Sequence, residues 1–367
     1  MTALPTRKLE AWRYTDLKSL AAISFADSAP AAVPDNLPDL GIPRLVFLNG
    51  AYNAALSTPP AYISAFAEVA EASTMPLALI NAEHARDGIT LNIPENTDGG
   101  ALLLIAHASA TTPLAFHPRH RITLAAGAKL TLIEVSTGTG IYWHNQVMDI
   151  AVPEGATLAH YRLQDEDEKS FHLATIRAKI AEHAAYEAFT ATLGARISRA
   201  EFHVTLTGKN AHTHVNAAQL LGTHQHGDFT TIIQHHAENC ASRQTVKSVL
   251  SGHARGVFQG RIEVARIAQK TDGYQMNQAL LLSDTAEMDI KPELEIFADD
   301  VKCSHGATIG ALDQEQVFYL RSRGIPEAQA RALLIRAFLD EALQPITHDG
   351  ARQLFDSAIE NWWTEKE

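Results

Sequence analysis

Cysteine is nearly missing from this chain: among 367 residues there are two, Cys240 and Cys303. Two distant thiols make no disulfide framework, which fits a reducing cytoplasm. Long apolar runs are missing too. The longest, Ala101 to Ala106, falls far short of the roughly 20 residues a bilayer span needs, so no membrane insertion is expected. Positive charge is in deficit, with a formal net charge of −12, which argues against nucleic-acid binding. The opening MTALPTRKLEAWRYTD carries charges from Arg7 onward and no apolar core, so it does not read as an export signal. Phosphate-binding signatures are absent as well. There is no GxxxxGK[ST], and GHARGVFQG, from Gly252 to Gly260, misses GxGxxG, so this chain is expected to bind no nucleotide.

What is present is a repeat. LAAGAKLTLIEV, VPEGATLAHYRL, IAEHAAYEAFTA and TGKNAHTHVNAA align on Ala128, Ala156, Ala184 and Ala211, a period of about 28 residues. Each copy has small turn residues and then a strand with alternating apolar positions, such as Leu130 and Leu132 or Tyr186 and Ala188. One such unit cannot bury its apolar face; stacked copies can, so the period predicts a β-solenoid rather than a β-sandwich, whose strands would recur at about 8–12 residues. The strand-like pattern continues to Ile309, punctuated by Gly252, Gly256, Gly260 and Gly273. Ahead of it, Pro5 to Leu20 has helical spacing, Ser28 to Pro43 is a proline-rich connection, and Arg44 to Leu48 runs through Asn49-Gly50 into a hairpin with Ala51 to Ala55. Ala61 to Glu71 and Met75 to Ala85 are expected to be helical. Behind it, Gly324-Ile325-Pro326-Glu327 is a helix-start signal for Glu327 to Leu343, and a second helix is expected from Asp349 to Trp363. The expected division is a small α/β domain over 1–95, a solenoid core over 96–312 and a helical domain over 313–367.

Two groups of residues carry chemistry. Cys303 and His305 stand two apart, so on a strand both face the same side, a thiol and an imidazole on one patch. Two ligands cannot close a zinc site or hold a cluster, which take about four, so the rest have to come from elsewhere, with a partner chain as the natural source. The competing reading makes Cys303 a small buried hydrophobe. Cys240, among polar neighbours, reads as structural. The second group is seven histidines in one short region: His203, His212, His214, His224, His226, His235 and His236. His212 and His214 are faintly like the HxH strand of a cupin, but no glutamate follows and no HExxH occurs, so a stand-alone metal-dependent enzyme is the alternative function rather than the first. The acidic run from Asp165 to Glu168 spreads its charges to both faces and reads as a solvated loop.

The string ADDVKCSHGATIGALDQEQVFYLRSRGI, from Ala298 to Ile325, resembles the C-terminal signature of the SufB/SufD family of the SUF iron–sulfur cluster assembly scaffold. The block from Cys240 to Asp300 and EAWRYTDLKSL, from Glu10 to Leu20, are similar to the same family, and the lack of a cysteine-rich N-terminal stretch favours its SufD side. The resemblance implies a right-handed parallel β-helix that is not itself an enzyme. It implies a SufB-like paralogue as one partner and a SufC-like ABC ATPase as another, the latter held by the C-terminal helices through Ile325, Pro326, Arg331, Leu334, Ile335 and Phe338. A homodimer of the isolated chain is the alternative pairing. Cys303 and His305 are implied as ligands of iron or a transient iron–sulfur cluster shared with the partner subunit.

Overall fold

Each alanine of the repeat marks one coil of a parallel stack. In the computed structural model, which describes residues 2–27, 31–65 and 73–366, Thr157, Ala185, His212, Ala241 and Asp272 donate backbone N–H groups to the carbonyls of Ala128, Ala156, Ala184, Ala211 and Cys240, at 2.9–3.1 Å. All five acceptor residues are wholly buried. The position before each is left-handed (Gly127, Gly155, His183, Asn210 and Asn239, φ 56° to 66°), the conformation glycine and asparagine adopt at least cost. Cys240 therefore takes the place of an alanine in this column, its Sγ 3.2 Å from the Gly208 carbonyl oxygen.

The chain is mainly β, a parallel solenoid of about eight turns with a helical C-terminal region. One sheet face stacks the strands Thr157–Glu166, Ala185–Thr192, His212–Leu221, Ala241–Leu250, Asp272–Leu281 and Lys302–Gly310. The other stacks Phe171–Ile180, Ile197–Leu206, His226–His235, Arg255–Val264 and Glu287–Ile296. The long strand Lys129–Val152 contributes to both. Alternate side chains point inward, and Leu132, Leu158, Tyr186, Phe202, Val204, Phe229, Ile233 and Phe258 build the continuous core.

The sheet begins well before residue 96. Arg44–Leu48 pairs in parallel with Asp98–Phe116, and Gly88–Ile93 with Arg119–Leu124, so residue 95 marks no break in the ladder. The Asn49-Gly50 hairpin forms, aligning Phe47 with Tyr52. Pro76–His84 is helical; of the helix expected from Ala61 to Glu71, the described part holds the strand Ile63–Ala65 and residues 66–72 lie outside the described residues. Pro5 to Leu20 is not one helix. Only Glu10–Trp12 and Lys18–Ala21 are helical, because the arm is pulled open against the solenoid. The guanidinium of Arg199 lies 4.2 Å over the Trp12 ring, Thr15 donates its hydroxyl to Asp228, and Glu10 pairs with Lys291 at 2.6 Å. Arg199 is itself wholly buried between Asp228 and Glu201.

On the other side, Glu327–Leu343 forms as expected and is followed by Asp349–Lys366. An additional helix, Gln314–Ser322, is capped by Asp313, which accepts from the backbone N–H groups of Glu315 and Gln316. Ile335, Leu339, Leu343, Phe355, Ile359 and Trp362 pack on the outward Ile133, Tyr161, Phe189, Leu220 and Val249. Phe189 and Phe355 meet edge to face at 5.2 Å.

Removing one partner of the Arg199 triad leaves a buried charge uncompensated, so Asp228→Asn is expected to lower unfolding free energy by about 3 kcal/mol, read from urea midpoints. Acid sensitivity follows from His120 and His235, which burial pulls down to about 4. The unfolded chain, with histidines near 6.5, binds more protons between those values, so stability is full above about 6.5 and falls as pH drops toward 4. His235→Gln is expected to flatten that slope between pH 7.5 and 5; an unchanged slope would contradict the assignment.

Candidate functional site

Every coil but the last has another coil on top of it. The position of Cys303 continues a register column through Leu130, Leu158, Tyr186, Thr213, Ser242 and Gly273, all buried. His305 stands in the same way above Gln275 and Gln244. These columns face the solenoid interior, yet among the described residues Lys302–Gly310 pairs only with Asp272–Leu281, and none of them forms a strand above the two side chains. Cys303 is half-buried and His305 exposed. The sequence thus places the thiol and imidazole together on the inner face of an open end.

The floor of this end is polar and incompletely paired. Among the described residues, Oε1 of Gln275, both side-chain polar atoms of Asn277 and Nε2 of Gln244 are buried with no hydrogen-bond partner. Groups like these are normally satisfied, and unpaired ones mark places where a further atom belongs. The flank is apolar: Cys303 packs beside Ile262, Val264, Ala268 and Ala298. Burial pushes the Cys303 thiol above its ordinary value, with Asp272 adding to this and a backbone hydrogen bond from Gly273 opposing it. The thiol is therefore protonated at neutral pH, and a thiol in that state must give up its proton to solvent before it can bind a metal.

Two strand edges are open here, and they differ. Glu287–Ile296 carries Glu287, Asp289, Lys291, Glu293 and Glu295 with Pro292 among them, charges and a missing donor that discourage a further strand. Lys302–Gly310 carries Lys302 as its only formal charge besides His305, so its edge remains able to pair.

The docking face implied for the helices is only partly available. Pro326 is exposed and Ile325, Arg331, Leu334 and Phe338 are half-buried, but Ile335 is in the core, 3% exposed, because its turn of helix faces the solenoid. Phe338 lies 4.7 Å under the Lys247 ammonium, which also pairs with Glu341 at 2.5 Å. The apolar side chains that do face outward are Phe318 (72% exposed), Tyr319 (57%) and Leu333 (52%). Phe318 and Tyr319 were legible only as adjacent aromatics in QEQVFYL, without a helical stripe to point them.

The seven histidines do not converge. His203 pairs with Glu201 on one outer face, while His212 and His214 flank Glu187 on the other, at 3.5 and 2.7 Å. The glutamate that the HxH stretch lacks along the chain is thus supplied by the neighbouring strand. His224 stacks on His253 at a turn, His226 meets Thr15, and His235 is inside against Ser242. No helix among the described residues is long and apolar enough to cross a membrane.

Comparison with known proteins identifies the core. The profile of the SUF system FeS cluster assembly SufBD core domain matches residues 105–338. The chain is 35% identical to the iron–sulfur cluster assembly protein SufD of Escherichia coli over 96% of its own length and 88% of that protein. It is 33% identical to an iron–sulfur cluster assembly SufBD family protein of Synechocystis over 94% of its length and 84% of that relative.

The two thiols are expected to differ in reach. With iodoacetamide at pH 8, Cys303 is labelled in the native chain while Cys240 is labelled only after unfolding, as read by peptide mass mapping; equal labelling of both would contradict the open end.

Proposed function

The chain belongs to the SufBD family of the SUF iron–sulfur cluster assembly system, and on that premise we propose that it is a non-enzymatic scaffold subunit that holds part of a nascent cluster at an interface with a SufB-like paralogue. One observation carries the proposal: a thiol and an imidazole share the inner face of a coil that no part of the described chain covers. Thiolate is the preferred ligand of iron–sulfur clusters and imidazole can replace it, so Cys303 and His305 supply two positions and leave the rest to the partner. The weakly charged edge Lys302–Gly310 is where the partner's strands would lie, and the unpaired Gln275 and Asn277 beneath it give the site a polar floor. A site divided between chains opens when the interface moves, which gives the cluster a way out without breaking either fold.

The ATPase role falls to the C-terminal helices. Phe318, Tyr319 and Leu333, together with Ile325, Pro326, Arg331, Leu334 and Phe338, form the face we assign to a SufC-like ATPase; Ile335 acts from inside by holding that helix on the solenoid. A stand-alone histidine enzyme receives no support, since the histidines between His203 and His236 are spread over both outer faces, a turn and the interior.

Co-expression with a SufB-like chain and a SufC-like ATPase, followed by anaerobic reconstitution, tests both parts. Cys303→Ala and His305→Ala are expected to leave the melting temperature within about 2 °C and to reduce iron and sulfide per complex about tenfold. Full iron and sulfide in both variants would remove the ligand role. Phe318→Ala with Leu333→Ala is expected to release the ATPase on gel filtration while the paralogue stays bound.

A further inference from the structure

Several coils before the open end, and unconnected with it, lies a second group of ligand-type side chains. His144, on Lys129–Val152, and His172, on Phe171–Ile180, are register partners one coil apart, their rings 4.6 Å from each other and nearly perpendicular. Glu166, the last residue of Thr157–Glu166, reaches between them at the corner where one sheet face gives way to the other. The run Asp165 to Glu168 is therefore not wholly a solvated loop: Asp165 and Glu168 are exposed, but Glu166 points inward and is buried, because inward positions alternate along its strand. Its Oε1 is 3.1 Å from Nδ1 of His144 and its Oε2 is 2.7 Å from Nδ1 of His172, with all three side chains 1–2% exposed.

We infer that His144, Glu166 and His172 form an internal site for one first-row divalent cation of the zinc or ferrous class. Three observations support this. His172 meets Glu166 through Nδ1 at 2.7 Å, while Nε2 of His172 and Nε2 of His144 are buried with no hydrogen-bond partner among the described residues. One ligand atom from each residue lies within 4.8 Å of the other two, and the carboxylate oxygens stand 3.1 and 2.7 Å from the two Nδ1 atoms, close enough for an ion held at about 2.0–2.2 Å to draw them together. The third observation is charge. The comparable interior carboxylate, Glu134, is matched by the Arg162 guanidinium at 3.1 Å and held by His160 and Gln146. Glu166 has no lysine or arginine in contact among the described residues, only imidazoles and the Gln164 amide, which donates at 2.9 Å. A buried carboxylate with no lysine or arginine against it is costly in an apolar stack, and a dication is what removes that cost. Gln164, itself held at Oε1 by the Gly194 N–H at 3.3 Å, orients the carboxylate from behind, as outer partners of metal ligands do. Because the site is enclosed, the ion enters while the coils assemble.

The full-length chain, unfolded in guanidinium with EDTA and refolded with zinc chloride or without metal, tests this. One zinc per chain after gel filtration is expected by mass spectrometry, retained in the double variant Cys303→Ser/His305→Ala and reduced at least tenfold in Glu166→Gln and in His172→Gln. Zinc is expected to raise the melting temperature of the native sequence but not of Glu166→Gln. Circular dichroism reports whether each variant folds. Should neither fold, cobalt(II) in the native sequence decides: visible d–d bands without a thiolate charge-transfer band support the His/Glu site. A thiolate band, zinc retained by folded Glu166→Gln, or less than about a tenth of an equivalent in the refolded native chain overturns it.

Discussion

A parallel strand satisfies its backbone only through neighbours on both sides, so a stack of coils can be sealed along its flanks but not, by its own means, at its ends. That constraint orders the rest of this molecule. Two strands at the C-terminal end carry open edges, and they are treated differently: Glu287–Ile296 is guarded by alternating charge and Pro292, whereas Lys302–Gly310 is left almost neutral. The same open end turns an interior column outward. Positions filled by Leu158 and Tyr186 in earlier coils become Gly273 and then Cys303 in the last.

The flanks are covered by two different kinds of contact. On one, the C-terminal helices bury an apolar stripe, Leu339, Leu343, Phe355 and Trp362, against outward aromatics and aliphatics. Contacts of this kind are strong in sum and tolerant of small shifts. On the other, the N-terminal arm is fixed by directional groups: Thr15 on Asp228, Trp12 under Arg199, Glu10 on Lys291. Those contacts demand one geometry, because a buried guanidinium whose partners move has no alternative partner.

Much of the fold was legible because a solenoid writes its geometry into the sequence as a period. Ala128, Ala156, Ala184 and Ala211 do stack, and the column runs on through Cys240. That Cys303 and His305 share one face was legible from strand alternation alone; that this face is an interior column left open among the described residues was not, since it depends on where the stack of coils stops. The arm was misread as a helix because Leu9, Trp12 and Leu17 have helical spacing, while the forces that open it come from Arg199 and Asp228, far along the chain. Ile335 stands among the docking residues that the resemblance implies, and a resemblance does not say which face a helix turns to its own domain. The interior pairs left a signal that went unused: Glu134 and Arg162, like His144 and His172, are separated by one period, so opposite charges or like ligands at that spacing share a coil-to-coil contact.

The clasp at Thr15 and Trp12 also fixes an order of events. These residues are made before the strands that receive them, Ile197–Leu206 and His226–His235, which follow some two hundred residues later. During translation the arm waits, tryptophan uncovered, while coils form behind it. The folded chain is thus tied from this arm to its late coils, and release of the arm exposes Arg199 at mid-stack before it loosens the earlier coils.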